Sequence, residues 1–166
     1  TSYLETIFSE IDDAKQVLRD EKRFFQFDEY KNAYTTLKVA MQMISYAHYP
    51  SKLDLDSFFM KGNPEENLQG ILTATRDPIK NPFLELYENE LLAKVNCLVG
   101  ISIIHAGQVI PGLTLARILR TRYPHLHIVI GGSVFARHQD ILEDKKILFD
   151  EMFHSIVLFE GEHPLD

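Results

Sequence analysis

A single cysteine, Cys97, is all the thiol chemistry in this chain of 166 residues. A lone thiol forms no intramolecular disulfide and builds no multi-cysteine zinc or iron–sulfur site. A reducing cytosol is therefore the expected compartment, and a cysteine leading into an apolar run is expected to be a small buried hydrophobe. Positive charge is also scarce: 17 Lys and Arg against 24 Asp and Glu leave a net charge of −7. That balance argues against nucleic acid or an anionic membrane surface as partner, since both reward clustered Lys and Arg. No uninterrupted apolar run reaches the ~18 residues of a transmembrane helix. The opening Thr1-Ser2-Tyr3-Leu4-Glu5 is polar and amphipathic, unlike a signal peptide. The start at Thr1 and the end at Asp166 are read as those of a fragment of a longer chain.

Several familiar sites are missing too. There is no Gly-x-Gly-x-x-Gly fingerprint, no Walker A lysine motif and no serine nucleophile elbow. Among the histidines, His105, His125, His127, His138, His154 and His163 are scattered, without the helical pairings that converge metal ligands. No internal repeat or low-complexity tract occurs. What remains is an ordinary globular composition, 45% hydrophobic and 25% charged, long enough to bury a core without disulfides or a structural metal.

Residues 1–95 read as mainly helical. Leu4, Ile7, Ile11, Ala14 and Leu18 recur at helical spacing. Asp28 is placed to cap a longer helix with the stripe Tyr30, Ala33, Leu37, Met41, Ile44 and His48, ended by Pro50. Asn63-Pro64-Glu65-Glu66 is a helix start, with a capping side chain, proline in the first turn and acids facing the dipole. Asn81-Pro82 repeats that start ahead of Phe83, Tyr87 and Leu91. Between these, residues 51–61 read as an irregular segment on an apolar surface. Residues 22–27 read as a short extended piece or a turn.

From residue 96 the pattern changes to α/β. Three apolar runs, 99–104, 128–130 and 156–159, each end in small or polar residues. The loops are His105-Ala106-Gly107-Gln108, Gly131-Gly132-Ser133 and Glu160-Gly161-Glu162. Helix-length segments over 112–123 and 134–144 separate them, and Ile147, Leu148 and Phe149 fall in the last connection. Strand, helix, strand, helix, strand implies right-handed crossovers and parallel strands. The near-continuous run 99–104 suggests a strand covered on both faces. Three such loops at one end of three consecutive strands suggest a binding edge of an open sheet. Gly131-Gly132 lets a ligand approach the backbone or simply makes a tight turn. Ser102 can face a neighbour or a ligand. Glu160 and Glu162 can accept bonds from hydroxyls or amides, or form an exposed acidic turn. His105 follows the first strand, where the sheet should open, and is otherwise a solvent-exposed loop residue.

Four segments together resemble a known family. They are Leu98-Val99-Gly100-Ile101-Ser102-Ile103, Gln108-Val109-Ile110-Pro111-Gly112-Leu113-Thr114-Leu115-Ala116-Arg117, Ile128-Val129-Ile130-Gly131-Gly132-Ser133, and Val157-Leu158-Phe159-Glu160-Gly161-Glu162-His163-Pro164-Leu165. Their order and spacing resemble the amino-terminal cobalamin-binding domain of cobalamin-dependent radical S-adenosylmethionine enzymes. The resemblance implies a flavodoxin-like (Rossmann-like) parallel sheet, with the nucleotide tail of cobalamin along the carboxyl ends of the strands and the corrin over that edge. It implies tail contacts from Ser102, from Gly131 and Gly132, and from Glu160, Gly161 and Glu162, with His105, Ala106, Gly107 and Gln108 alongside.

The departures are equally specific. The Asp-x-His-x-x-Gly motif that ligates cobalt is absent, so His105 does not inherit that role. The Cys-x-x-x-Cys-x-x-Cys motif is absent as well. In the family it lies beyond Leu165, in a downstream domain that would hold the 4Fe–4S cluster and S-adenosylmethionine. The chain would then position the corrin for methyl transfer or related radical chemistry carried out by that domain. No first strand precedes the helices, so the flavodoxin-like sheet is expected to be incomplete. Its open edge beside 98–104 is expected to be covered by the amino-terminal helices or, in a homodimer, by a second copy. Two other readings stand beside this one. One is a non-catalytic α/β interaction module presenting its helical half to a partner. The other is a stand-alone enzyme pairing His105 with Glu160, which requires both within ~3 Å or one water of a common atom.

Overall fold

The structure is a computed structural model that describes residues 3–90, 97–136 and 146–158. The chain divides into two compact units, Thr1–Phe59 and Met60–Asp166.

In the first unit, helices α1 (Tyr3–Val17) and α2 (Phe27–Ala47) pack together through Ala14, Val17, Ala33 and Leu37, with Ile11 and Leu18 at the margin. Small residues at the contact let the helices approach closely. Arg23, in the turn between them, forks onto both oxygens of Asp13 at 2.8 and 3.0 Å and reaches Glu29 at 2.5 Å. One guanidinium thus ties the turn to both helices, and its hydrogen bonds, with its charge adding less, draw the Asp13 carboxyl below its ordinary range. The turn itself is an Asx turn, since Asp20 Oδ1 accepts from the N–H groups of Lys22 and Arg23. Asp28 is not the cap of α2. Gln26 holds that position without a side-chain bond, and Asp28 lies in the first turn, where its charge still favours the helix dipole. The segment expected to be irregular contains two short antiparallel strands, β1 (Lys52–Leu53) and β2 (Phe58–Phe59). Ser45 Oγ accepts from Leu53 N–H at 2.8 Å and fastens β1 to α2.

The second unit is mixed α/β. A 3₁₀ turn (Pro64–Glu66) leads into α3 (Leu68–Ala74), capped by Asn67, whose side chain accepts from Gly70 N–H at 2.7 Å. Helix α4 (Phe83–Glu90) follows. Then come β3 (Leu98–Ser102), α5 (Val109–Arg122), β4 (His127–Gly131), α6 (Ser133–Ala136), α7 (Lys146–Glu151) and β5 (Ser155–Ile156). The three strands are parallel, in the order β3-β4-β5, with Ser102 opposite Gly131 and Ile130 opposite Ile156. Helices α3 and α4 pack on α5 within this unit, so both belong with the sheet. Ile103, Leu113, Leu119, Leu126, Ile128, Ile130, Met152 and Phe153 form its fully buried core.

Strand β3 is not covered on both faces. Its burial alternates, with Leu98, Gly100 and Ser102 exposed and Val99 and Ile101 half-buried. Residues 97 and 103 direct their backbone groups to β4. The groups of Leu98, Gly100 and Ser102 therefore point to the other edge, where no strand pairs among the described residues. Cys97, at the start of this edge, is exposed rather than buried. Ile147, Leu148 and Phe149 lie in the connection before β5, which there forms the helix α7 with Leu148 buried. Of the helix expected over 134–144, Ser133–Ala136 is described and 137–145 lie outside the described residues. No helix among the described residues is long and apolar enough to cross a membrane.

Candidate functional site

The loop after β3 is built from its own polar groups. Ile103 N–H donates to Gly131 O at 2.7 Å, the last rung of the β3–β4 ladder. The chain then turns into a 3₁₀ segment, Ala106–Gln108, that opens α5. Gln108 Oε1 accepts from the N–H groups of Ile104 and His105 at 2.9 and 3.3 Å. In return, His105 Nδ1 accepts from Gly107 N–H at 3.1 Å. This is a capping box with histidine in the role of serine or threonine. A neutral ring that accepts at Nδ1 carries its proton on Nε2. His105 therefore offers its surroundings a hydrogen-bond donor and no metal-binding lone pair while the cap stands.

The loop after β4 crosses tightly over the end of β3. Gly132 has φ of +110°, and a Cβ there would stand 2.2 Å from Ile103 O and 2.6 Å from Ile103 C. Only glycine fits. Ser133 Oγ then donates to Ile104 O at 3.2 Å, and Val134 N–H reaches Ile103 O at 3.5 Å. Gly131 is different: a Cβ there would meet nothing closer than Val157 O at 3.7 Å. The fold therefore demands a glycine at 132 and merely permits one at 131.

Ser102, His105, Gly107, Gly131 and Gly132 thus come together at the carboxyl end of β3 and β4. Glu160, Gly161 and Glu162 lie outside the described residues. The pairing of His105 with Glu160 lies there too. Of the residues brought together, His105, Gly107 and Gly132 are engaged by the chain itself. Ser102, exposed, and Gly131, half-exposed and without a side chain, lie opposite each other and leave the rim open to an extended polar group. Cobalt ligation by His105 Nε2 does not fit while Gly107 N–H occupies Nδ1. Among the described residues no group of three or more His, Cys, Asp or Glu is placed to hold a metal ion.

Two polar arrangements were not legible as sites in the sequence. One is the buried Asn81–Thr114 pair beneath α5, whose only sequence trace is an asparagine before a proline. The other joins His127, His154, Arg120 and Ser155 at the opposite, amino-terminal end of the sheet. Its trace is a histidine standing at or just before the start of two successive strands. No protein-family model matches the chain, and neither does any curated protein or solved structure.

Proposed function

We propose that the unit from Met60 onward is a cobalamin-binding-type domain with an incomplete flavodoxin-like sheet, part of a cytoplasmic radical S-adenosylmethionine enzyme. The observation that carries this reading is the Ser102–Gly131 pair, a free hydroxyl and a bare backbone in register at the carboxyl ends of adjacent parallel strands. Ligands of open α/β sheets bind outside that end. In this reading Ser102 bonds the nucleotide tail, Gly131 lets it lie close, and Glu160, Gly161 and Glu162 contact it from the third strand. His105 and Gly107 shape the neighbouring wall, with His105 donating from Nε2. Bound cobalamin supplies a methyl group or a redox-active cobalt; S-adenosylmethionine and a 4Fe–4S cluster belong to the downstream domain. In this reading the amino-terminal helices or a second copy of the chain would cover the open edge of β3.

Titration of the whole chain with hydroxocobalamin, followed by calorimetry and the visible spectrum, is the test. Saturable binding is expected, weakened roughly five- to tenfold by Ser102→Ala, the worth of about one hydrogen bond. Gly131→Ala, whose added Cβ the fold has room for, should weaken it further by occupying the path of the tail. Absence of both heat and spectral change rejects the reading. Binding indifferent to both substitutions would move the tail elsewhere.

A second reading, an interaction module, draws support from the first unit. Phe25 and Phe27 are 80% and 74% exposed at the turn before α2. Phe24 contacts both Phe25 and Tyr30 edge-on, at centroid separations of 5.2 and 5.4 Å. Rings held this way without burial suit a docking surface. Replacing Phe25 and Phe27 by serine should leave urea stability within about 0.5 kcal/mol, as for other surface changes, and remove binding of a hydrophobic dye. A large loss of stability would instead assign these rings to the core.

A further inference from the structure

At the amino-terminal end of the sheet, two histidines join neighbouring strands reciprocally. In the parallel ladder His127 N–H points toward β3 and donates to Cys97 O at 2.8 Å. Ile128 N–H points the other way, toward β5. Its acceptor is a side chain: His154 Nδ1, at 3.0 Å. The backbone N–H of His154 donates to Ile128 O at 2.8 Å, so the imidazole supplies the rung that a carbonyl would make in a longer strand. In the reverse direction His127 Nε2 meets Ser155 Oγ at 2.7 Å. The two rings stack at 4.9 Å with 26° between their planes. Strand β5 is two residues long, and beyond its start Val157 N–H bonds Ile130 O at 2.8 Å. The imidazole contacts therefore supplement a short backbone ladder in fastening β5 to β4.

The contact to Ile128 requires a lone pair on His154. A neutral imidazole has one, and an imidazolium has none. Two donors already compete for it, because the Arg120 guanidinium from α5 touches His154 Nε2. Arg120 is itself held in place, its Nε donating to Asp150 O at 2.9 Å. The remaining groups near the ring give no counter-charge. His127 from β4 is itself a base, Ser155 is neutral, Asp150 offers its backbone carbonyl to Arg120, and Glu151 of α7 is paired with Arg76. Burial first, then Arg120 and His127, hold the His154 ring below the ordinary imidazole value.

We propose that His154 and His127 form a proton-operated clip that holds β5 in the sheet when neutral and releases it when His154 is protonated. The sign follows from linkage. In the released state His154 has the ordinary value of about 6.5, and in the clipped state a lower one. The released state thus binds more protons, and the clip weakens as pH falls. It is complete above about 6.5 and is lost progressively as pH drops through the clipped-state value. The clip does not depend on cobalamin binding. Its consequence is that the strand leading in sequence to Glu160-Gly161-Glu162 is fastened in part by His154, whose hold depends on its protonation.

Imidazole NMR titration of the whole chain, with amide hydrogen exchange at about pH 7.5 and about pH 5, tests this. His154 is expected to titrate below the ordinary histidine value. After correction for intrinsic rates, protection of Ile128 and Val157 should fall roughly tenfold per unit of pKa depression. Ile103 N–H, bonded between β3 and β4, should hold steady. His154→Asn puts an oxygen where Nδ1 stands without the titration, so Ile128 protection should persist at both pH values. The proposal is overturned if Ile128 protection is flat with pH in the wild type, or if it falls equally in His154→Asn. Should that variant not fold, the wild-type contrast decides alone: parallel loss at Ile128 and Ile103 means global acid unfolding and no clip.

Discussion

Gly132→Ala is expected to cost the sheet unit about 4 kcal/mol or more, whereas Gly131→Ala should stay within about 1 kcal/mol. Two independent penalties fall on position 132. At φ of +110°, an L side chain is strained by about 1–3 kcal/mol. The added methyl would also lie 2.2, 2.6 and 2.8 Å from the O, C and N of Ile103. These are backbone atoms with no rotamer to move to, in a residue that is fully buried and bonded to Gly131 O. Relief would require lifting the loop off β3, which gives up the Ser133 bond to Ile104 O as well. At position 131 the nearest atoms stand at 3.7 and 3.9 Å, ordinary contact. Urea denaturation of both variants gives the comparison. Equal stability of the two would mean that the β4 loop does not cross β3 as described, and the geometry of the rim would have to be redrawn.

That contrast shows how far the sequence could be read. Gly-Gly after an apolar run signalled a tight loop, but the division of labour between its two residues depends on Ile103, which stands 29 positions away from Gly132. The three strands and the long helix after β3 were legible because apolar runs bounded by small residues repeat at regular spacing. Coverage of β3 was not: Gly100 has no side chain to declare a face and Leu98 is apolar yet exposed, so a one-sided strand imitates a two-sided one. Strands β1 and β2, at two residues each, are too short to carry a period. The six-residue α7 is under two turns and likewise shows none. His105 follows a strand end in the sequence pattern and in the structure alike. Its capping role is visible afterwards in His-Ala-Gly-Gln, a capping-box spacing with an unusual first residue. The His127–His154 stack depends on which strands are neighbours, and local periodicity says nothing about that. The acidic strand-end motif rests on the sequence alone.

Asn81 supplies the other large effect, and its charge variant gives the sharper test. Its side chain has no exposed surface. Nδ2 donates to Ala74 O at 3.0 Å and to Thr114 Oγ1 at 2.9 Å, while Oδ1 accepts from Phe83 N–H at 3.1 Å. Thr114, equally buried, donates a hydrogen bond from its own hydroxyl to Ile110 O at 2.7 Å. One amide thereby joins the end of α3, the start of α4 and the middle of α5, the three helices on which the sheet unit rests. Asn81→Ala leaves Ala74 O and Phe83 N–H without these partners and should cost about 3 kcal/mol at every pH. Asn81→Asp retains the acceptor for Phe83 but turns a second oxygen toward Ala74 O and Thr114 Oγ1. Ionised, it is a buried charge facing a carbonyl, and the deficit near neutrality should exceed that of alanine. Burial and that carbonyl raise the folded-state pKa of the new carboxyl above the roughly 3.9 of an unfolded Asp. A raised pKa means that the folded state binds the proton more tightly, so the deficit relative to wild type is smallest below about pH 4 and widens as pH rises through the folded value. Protonated, the acid donates one bond toward Ala74 or Thr114 and mimics half of the amide. Parallel urea titrations of both variants across this range should therefore show a flat gap for alanine and a pH-dependent gap for aspartate. A flat gap for aspartate would mean that water reaches position 81, and the buried junction of the three helices would not be dry.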